Sequence, residues 1–235
     1  MMENNGMESA TLKQSLLDAA LDHVAFDGWS EACFLAAAAD AGIEPGLTRV
    51  ICPRGALDLA VAYHRRGDAA MVAALTPERL GGLRFRDRIA LAVRLRLQSA
   101  DREIVRRGAA LFALPMNAPA GAKLMWGTAD TIWRALGDTS DDINWYSKRA
   151  TLSAVYSATT LFWLGDDSDG HAASWAFLDR RIEDVMRFEK VKAQMRGNAV
   201  LSRVLAGPMK ILDKVRAPAA PVEDLPGRTD PKEKA

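Results

Sequence analysis

The sequence has few of the residues that usually carry chemistry. Only two cysteines and three histidines occur in 235 residues. Cys33 and Cys52 form no C-x-x-C pair, which argues against a disulfide scaffold and predicts two buried, reduced thiols. The histidines are scattered, and none has a second histidine four residues away that could share a metal ion.

Charge of one sign and long apolar runs are also missing. The 31 Lys and Arg residues nearly balance the 30 Asp and Glu residues, for a net charge of +1, so there is no global basic field that would recruit nucleic acid. No stretch approaches the ~20 apolar residues that are needed to span a bilayer. Residues 1–9 are polar and lack the apolar run of a signal peptide. We therefore expect a cytoplasmic protein.

No catalytic motif is present. The patterns G-x-S-x-G, G-x-x-x-x-G-K and G-x-G-x-x-G do not occur. Two acidic groups, at 138–142 and 166–169, match no EF-hand loop, and helix capping explains them more simply. The sequence therefore predicts no catalytic residues, no metal site and no cofactor.

What the sequence does contain is a helical pattern of apolar residues along nearly its whole length, while strand signals are scarce. Ser30 is predicted to cap the second helix, Thr76 the helix that opens with Pro77, and Gly137 and Gly165 to end two others in the left-handed conformation. We expect the arginines of 84–99 to face outward. The other predicted helices cover about 11–26, 33–41, 45–51, 56–66, 102–114, 119–136, 142–164 and 170–196.

The order of the first helices resembles the helix-turn-helix head of TetR-type regulators over about 12–64. One interpretation is DNA binding through 45–51, and the other is an inherited scaffold that no longer contacts DNA. A recognition helix needs donors for base edges and cations for phosphates. This one offers a single arginine, Arg49, and has an acid, Glu44, at its start. The second interpretation is therefore favoured.

Five of the six tryptophans lie between Trp126 and Trp175. Among them, Asn144-Trp145-Tyr146 falls in the first turns of a predicted helix, beside Lys148 and Arg149. Neighbours on a helix differ by about 100° in direction, so one of the two aromatic rings must point away from the main core face. This favours an interface hot spot. The alternative is that both rings pack on the preceding loop.

The segment 198–216 has the pattern of a separate amphipathic helix. From 196 to 216 there are five cations and one anion, for a local net charge of +4, which suits an anionic membrane surface. Gly207-Pro208 predicts a kink. Alternatively the segment folds back on the body or joins a dimer. The residues predicted to contact the membrane are Leu201, Arg203, Val204, Leu205, Lys210, Leu212, Lys214 and Val215.

Three runs resemble the ubiquinone-biosynthesis accessory proteins of the COQ9 family. They are ALPMNAP at 113–119, LMWGTADTIWRALGDTSDDINWYSKRATLSAVYSATTLFWLGDDS at 124–168 and WAFLDRRIEDV at 175–185. The most specific parts are D-x-x-x-D-x-N-W-Y-x-K-R at 138–149 and W-x-F-L-x-x-R at 175–181. The likeness extends over about 9–216, and we expect the chain to differ from the family in having no long mitochondrial targeting extension.

This resemblance implies an all-α, TetR-like bundle of about nine or ten helices with a C-terminal amphipathic helix. It implies a non-catalytic protein that binds an isoprenoid quinone or phospholipid and docks onto the di-iron demethoxyubiquinone hydroxylase. We expect it to lie on the inner membrane as a peripheral homodimer without nucleic acid. The alternative is a TetR-type transcriptional regulator with a hydrophobic effector.

The resemblance also gives the expected sites. The family's partner-binding patch falls on Asp142, Asn144, Trp145, Tyr146 and Arg149. The lipid should bind in an apolar pocket enclosed by the long C-terminal helices. The aromatic residues expected to line that pocket are Trp126, Trp133, Tyr156, Trp163 and Phe177, and the alternative for most of them is plain core packing. The expected divisions are helix-turn-helix-like helices at 9–75, a lipid- and partner-binding domain at 76–196, the membrane helix at 198–216 and a disordered tail at 217–235.

Overall fold

A computed structural model of the chain describes the backbone of residues 2–141 and 143–196 and the side-chain surroundings of 9–141 and 143–187. Asp142, the segment 198–216 and the tail 217–235 lie outside the described residues. Within them the chain forms ten α-helices and no strand, so the all-α prediction is confirmed. The helices are α1 (Met2–Asp27), α2 (Glu31–Asp40), α3 (Pro45–Ile51), α4 (Ala56–Ala74), α5 (Pro77–Leu80), α6 (Phe85–Gln98), α7 (Arg102–Ala113), α8 (Ala118–Ala135), α9 (Ile143–Leu164) and α10 (Ala172–Arg196).

Local signals set most of the helix ends. The Ser30 hydroxyl accepts the Cys33 N–H at the start of α2, as predicted. Gly137 ends α8 in the left-handed conformation, also as predicted (φ 81°). Gly165 does not adopt it, so that prediction is wrong. Helix α5 begins at Pro77 with Thr76 at the cap position, as predicted, but the Thr76 side chain makes no capping bond.

The start of α10 differs from the predicted one. Gly170 and His171 both have positive φ, and the α-helix begins at Ala172 rather than at 170. The cause lies in the preceding loop, where the buried Asp166 carboxylate accepts the backbone N–H groups of Ser168 and Ser174. These bonds fold the chain back before α10 begins.

Helix α4 continues to Ala74 rather than ending near residue 66. The polar run from 64 to 68 interrupts the apolar pattern, but Asp68 is buried and ion-paired with Arg96, whose side chain is 3% exposed. Arg96 Nε donates to Asp68 Oδ1 at 2.7 Å, and Thr128 Oγ1 donates to the same oxygen at 2.9 Å. The outward direction predicted for the α6 arginines is therefore wrong for Arg96, which connects α4, α6 and α8.

The buried apolar residues form two clusters. The first joins α1, α2, α3 and the start of α4, with Ile104 from α7. The second is built from the end of α4 and from α6, α8, α9 and α10. The N-terminal cluster is centred on Leu16, Leu17, Val24, Phe34 and Leu59, and the C-terminal cluster on Val93, Leu97, Ile132, Leu152, Tyr156 and Leu178.

Candidate functional site

Three aromatic rings meet where α8 passes the start of α9. Trp145 and Tyr146 lie almost perpendicular to each other with ring centres 4.8 Å apart. Trp126 of α8 lies 5.9 Å from Trp145 and 6.4 Å from Tyr146. All three rings are half-buried, and Asn144 beside them is exposed. We call Trp126, Trp145 and Tyr146 the aromatic cluster.

The aromatic cluster rests on a buried ionic network. Arg149 is 2% exposed, and its guanidinium carbon lies 4.1 Å from the centre of the Trp145 ring. Arg149 Nε donates to Asp130 at 2.6 Å and its Nη1 to Asp138 at 3.1 Å. Lys148 Nζ also donates to Asp138, at 2.7 Å. Arg149 therefore lies beneath the surface expected to bind a partner, in a position to hold Trp145 rather than to make contact itself.

Asp138 is the centre of this network. Burial alone would raise its pKa, but hydrogen bonds from Lys148, Ser140 and Arg149 outweigh burial and lower the pKa to about 2. Both carboxylates of the network are paired with cations, Asp138 with Lys148 and Arg149, and Asp130 with Arg149 and the more exposed Arg134. The aromatic cluster therefore lies on a base that several ion pairs hold in place.

A cavity of about 300 Å³ lies among α4, α6, α7, α8 and α9, with Trp29 at one side. We call it the inner cavity. Small residues leave this space open, among them Gly108 and Gly121. A Cβ on Gly121 would lie 2.9 Å from Phe112 Cβ, so glycine there permits the close approach of α7 and α8. The apolar lining includes Ala60, Leu97, Ile104, Val105, Phe112 and Met125.

The inner cavity has a polar end formed by Tyr63, His64, Arg96 and Tyr156. His64 Nε2 lies 2.7 Å from the Thr128 hydroxyl. Burial, together with the nearby charge of Arg96, lowers the pKa of His64 to about 3, so the ring is neutral at physiological pH. The arrangement is an apolar chamber with a few hydrogen-bonding groups at one end, as in binding sites for small amphiphiles.

A second space, of about 230 Å³, lies among α6, α9, α10 and the end of α8, and we call it the outer groove. Its walls are apolar and include Ile89, Trp133 and Ile182, while Asn144 and Lys148 also line it. Because Asn144 adjoins Trp145, the outer groove lies next to the aromatic cluster.

The five aromatics expected to bind lipid do not line one common cavity. Tyr156 lines the inner cavity and Trp133 the outer groove. Trp126 belongs to the aromatic cluster, whereas Trp163 is buried beside the His171 ring. Phe177 stacks on Phe162 with ring centres 4.6 Å apart.

Of the four residues at the polar end of the inner cavity, the sequence predicts only Tyr156 as a lipid-binding residue. The four residues lie on α4, α6 and α9, and the arginines and His64 have the composition of a solvated helix face. One local signal was available, because His64 and Asp68 are four residues apart on a helix with an apolar face. Such a histidine–aspartate spacing is too common on helices to predict a binding site.

Two observations bear on chemistry and on the membrane. Among the described residues there is no group of three or more His, Cys, Asp or Glu side chains that could hold a metal ion. In the same part of the chain, no helix is long and apolar enough to cross a bilayer.

A solved structure shares this arrangement of helices. The chain is similar to a TetR transcriptional regulator from Nitrosomonas europaea with a TM-score of 0.60 and 18% sequence identity, over 74% of this chain and 97% of that one. This defines the class as all-helical proteins of TetR-like fold, and the predicted fold is confirmed.

The sequence model of the COQ9 family matches residues 118–189, which include the aromatic cluster and its ionic base. The predicted resemblance to that family is confirmed. A probable ubiquinone biosynthesis protein coq9, mitochondrial, from Dictyostelium discoideum is 30% identical over 77% of this chain and 62% of its own length. The ubiquinone biosynthesis proteins COQ9, mitochondrial, from Drosophila melanogaster and Homo sapiens are 29% and 28% identical, each over 79% of this chain. The chain spans only 59% and 61% of their lengths.

Proposed function

We propose that this chain is a non-catalytic, lipid-binding accessory protein of ubiquinone biosynthesis. In this proposal it presents apolar quinone intermediates to the demethoxyubiquinone hydroxylase at the membrane surface. The observation that carries the proposal is the inner cavity, an apolar chamber with hydrogen-bonding groups at one end. The names of the COQ9 relatives support the pathway.

The shape of the inner cavity suits part of a quinone rather than all of it. A volume of about 300 Å³ holds a substituted ring and the beginning of an isoprenoid tail. The apolar walls would remove those groups from water, which stabilises binding by about 25 cal/mol for each Å² of apolar surface buried. The rest of the tail would extend towards the bilayer or the partner.

The aromatic cluster supports the docking step. Half-buried tryptophan and tyrosine side chains on a rigid base are the residues that most often dominate a protein interface. Trp145 and Tyr146 have such a base in the network around Arg149. Asn144 lies both beside the aromatic cluster and in the lining of the outer groove. A hydroxylase bound here would therefore contact the outer groove as well as the aromatic cluster.

The membrane and dimer parts of the proposal have different support. The membrane contact of 198–216 and the position on the cytoplasmic side of the inner membrane depend on the amphipathic pattern and the family resemblance. Homodimer formation is supported by the exposed apolar face of α9, where Leu161 is 66% and Phe162 is 39% exposed. Analytical ultracentrifugation of the purified chain tests the dimer.

The alternative function is a TetR-type regulator with a hydrophobic effector. The solved structure of similar fold is that of a TetR transcriptional regulator. Helix α3 would have to contact the bases. Its arginine, Arg49, is ion-paired with Glu31 and lies over the Phe34 ring. Glu44 caps the helix through the Leu47 N–H and would face phosphates with a negative charge. These contacts favour the accessory-protein proposal.

Uptake of a benzoquinone that carries a decyl tail tests the proposal. Trp29 lines the inner cavity, so a bound quinone should quench the tryptophan fluorescence of the full chain. Gly108→Leu should abolish the saturable quenching, because the new side chain occupies the inner cavity next to Trp29. Gly127→Leu is the matched control, since it is a helical glycine with open space around its Cβ. Absence of saturable quenching in the wild type, or equal quenching in Gly108→Leu, would overturn the proposal.

A further inference from the structure

The charges at the polar end of the inner cavity cancel. Arg96 is the one charged side chain among the described residues that line it. Its guanidinium is bonded to Asp68 Oδ1 at 2.7 Å and to the His64 carbonyl oxygen at 3.0 Å. The Arg96 side chain is 3% exposed and that of Asp68 is 13% exposed, so water screens this pair little.

The other titratable groups that line the polar end, Tyr63, His64 and Tyr156, are neutral. Asp68 is the counter-ion of Arg96: its Oδ1 accepts from Arg96 Nε at 2.7 Å and from the Thr128 hydroxyl at 2.9 Å, and both contacts favour the carboxylate, although burial raises its pKa. His64 is uncharged at neutral pH because burial lowers its pKa to about 3. Burial raises the pKa of both Tyr63 and Tyr156, which keeps their hydroxyl groups protonated. The polar end thus has no net charge but offers N–H and O–H donors.

From this we propose that the inner cavity selects amphiphiles with an uncharged, oxygen-bearing head group and rejects those with an anionic one. This inference depends on the proposed lipid-binding function and specifies its ligand class. An uncharged carbonyl or alkoxy oxygen can accept from the donors at the polar end. An anion would be buried without a counter-ion, because Asp68 already neutralises Arg96, and burial of an unpaired charge is strongly unfavourable.

The outer groove differs in charge. Two cations, Arg86 and Lys148, line it. They are paired with Asp87 and Asp138, but both are about one third exposed to water, so an anionic head group could bind there without burial of an unpaired charge. Any test of the inner cavity must therefore separate the two spaces. Gly108→Leu does this, because Gly108 lines the inner cavity and is absent from the lining of the outer groove.

The test compares decanol with decyl sulfate below its micelle concentration, since they share a tail and differ in head-group charge. Each compound is titrated against the full chain with bound decyl-benzoquinone. Displacement of the quinone is measured as the recovery of tryptophan fluorescence. Binding of each decyl compound to Gly108→Leu is measured by calorimetry and is subtracted, because it takes place outside the inner cavity. We expect decanol to displace the quinone at a concentration at least roughly tenfold lower than decyl sulfate.

Asp68→Asn should reverse this preference. The substitution leaves Arg96 without its counter-ion, so decyl sulfate should then bind at least as tightly as decanol. Asp58→Asn is the matched control, because Asp58 is also buried and is paired with Arg54 away from the inner cavity. It should keep the wild-type preference. If circular dichroism shows that Asp68→Asn does not fold, the wild-type comparison alone decides.

Each outcome has one meaning. Decyl sulfate that displaces the quinone from the wild type as readily as decanol overturns the charge selection and leaves lipid binding intact. An unchanged preference in folded Asp68→Asn overturns it as well. If neither the quinone nor the two decyl compounds binds the inner cavity, lipid binding itself is overturned, and the charge selection with it.

Discussion

Arg149 and Trp145 are joined twice. The Arg149 guanidinium carbon lies 4.1 Å from the centre of the Trp145 ring, and its Nη1 donates to the Trp145 carbonyl oxygen at 3.2 Å. A cation held over a tryptophan ring away from water stabilises the contact by ~2 kcal/mol. The same guanidinium is anchored by Asp130 and Asp138. The orientation of Trp145 is therefore fixed before any partner arrives.

The first prediction concerns Trp145 as an interface residue. Trp145→Ala should weaken binding of the demethoxyubiquinone hydroxylase about thirtyfold, which corresponds to about 2 kcal/mol. The fold should be affected less than by loss of a core tryptophan, which costs ~3–5 kcal/mol. Co-purification and thermal unfolding measure the two effects. Trp175→Ala, another half-buried tryptophan, should leave hydroxylase binding unchanged. If Trp145→Ala binds the hydroxylase as well as the wild type does, Trp145 has only a structural role.

The second prediction concerns the ionic base. Arg149→Met removes the buried cation that bridges Asp130 and Asp138, leaving Asp138 with Lys148 and Asp130 with the exposed Arg134. Because breaking a buried ion pair is strongly destabilising, the free energy of unfolding should fall by ~3–5 kcal/mol. Arg134→Met removes the other cation on Asp130, but the Arg134 side chain is 69% exposed and its loss should cost no more than ~1 kcal/mol. Urea denaturation of the two variants measures the difference. Equal midpoints would contradict the structural role of Arg149.

The positions that the sequence predicted well depend on neighbours in the chain. The cap at Ser30, the start of α3 at Pro45 and the end of α8 at Gly137 each depend on residues within a few positions. Helix geometry alone likewise indicates that one of the two adjacent aromatics at 145–146 points away from the core. The buried arginines could not be predicted in this way, because Arg96 and Arg149 are buried only through carboxylates 28 and 19 residues away. The inner cavity needs five helices, so no local pattern describes it.

The third prediction concerns acid stability through Asp138. Its folded pKa is about 2, below the ordinary value of 3.8, so the unfolded chain takes up the proton first as the pH falls. The stabilisation, roughly 2 kcal/mol, is present above about pH 4 and is lost as the pH falls towards 2. Denaturation of Asp138→Asn at a series of pH values should not show this fall in the free energy of unfolding. Asp141→Asn, an exposed neighbour, should behave like the wild type. The same acid slope in Asp138→Asn would contradict the assignment.

The fourth prediction concerns His64. Its folded pKa of about 3 lies below the ordinary 6.5, so stability is complete above about pH 6.5 and declines as the pH falls towards 3. The decline should total roughly 3–5 kcal/mol. His64→Gln can keep a bond to Thr128 and should flatten the curve between these pH values. His23→Gln, which changes a histidine at the surface of the N-terminal helices, serves as the control. An unaltered curve for His64→Gln would show that another group controls the decline.

The central claim is that the inner cavity carries an isoprenoid quinone, and mass spectrometry of organic extracts from the purified full chain tests it most directly. The wild type and Gly127→Leu should both yield an uncharged isoprenoid quinone or quinone precursor in amounts close to that of the protein. Gly108→Leu should yield little of it, because its new side chain fills the space beside Trp29. An extract of the wild type without any isoprenoid compound, or equal amounts from all three proteins, would contradict the account.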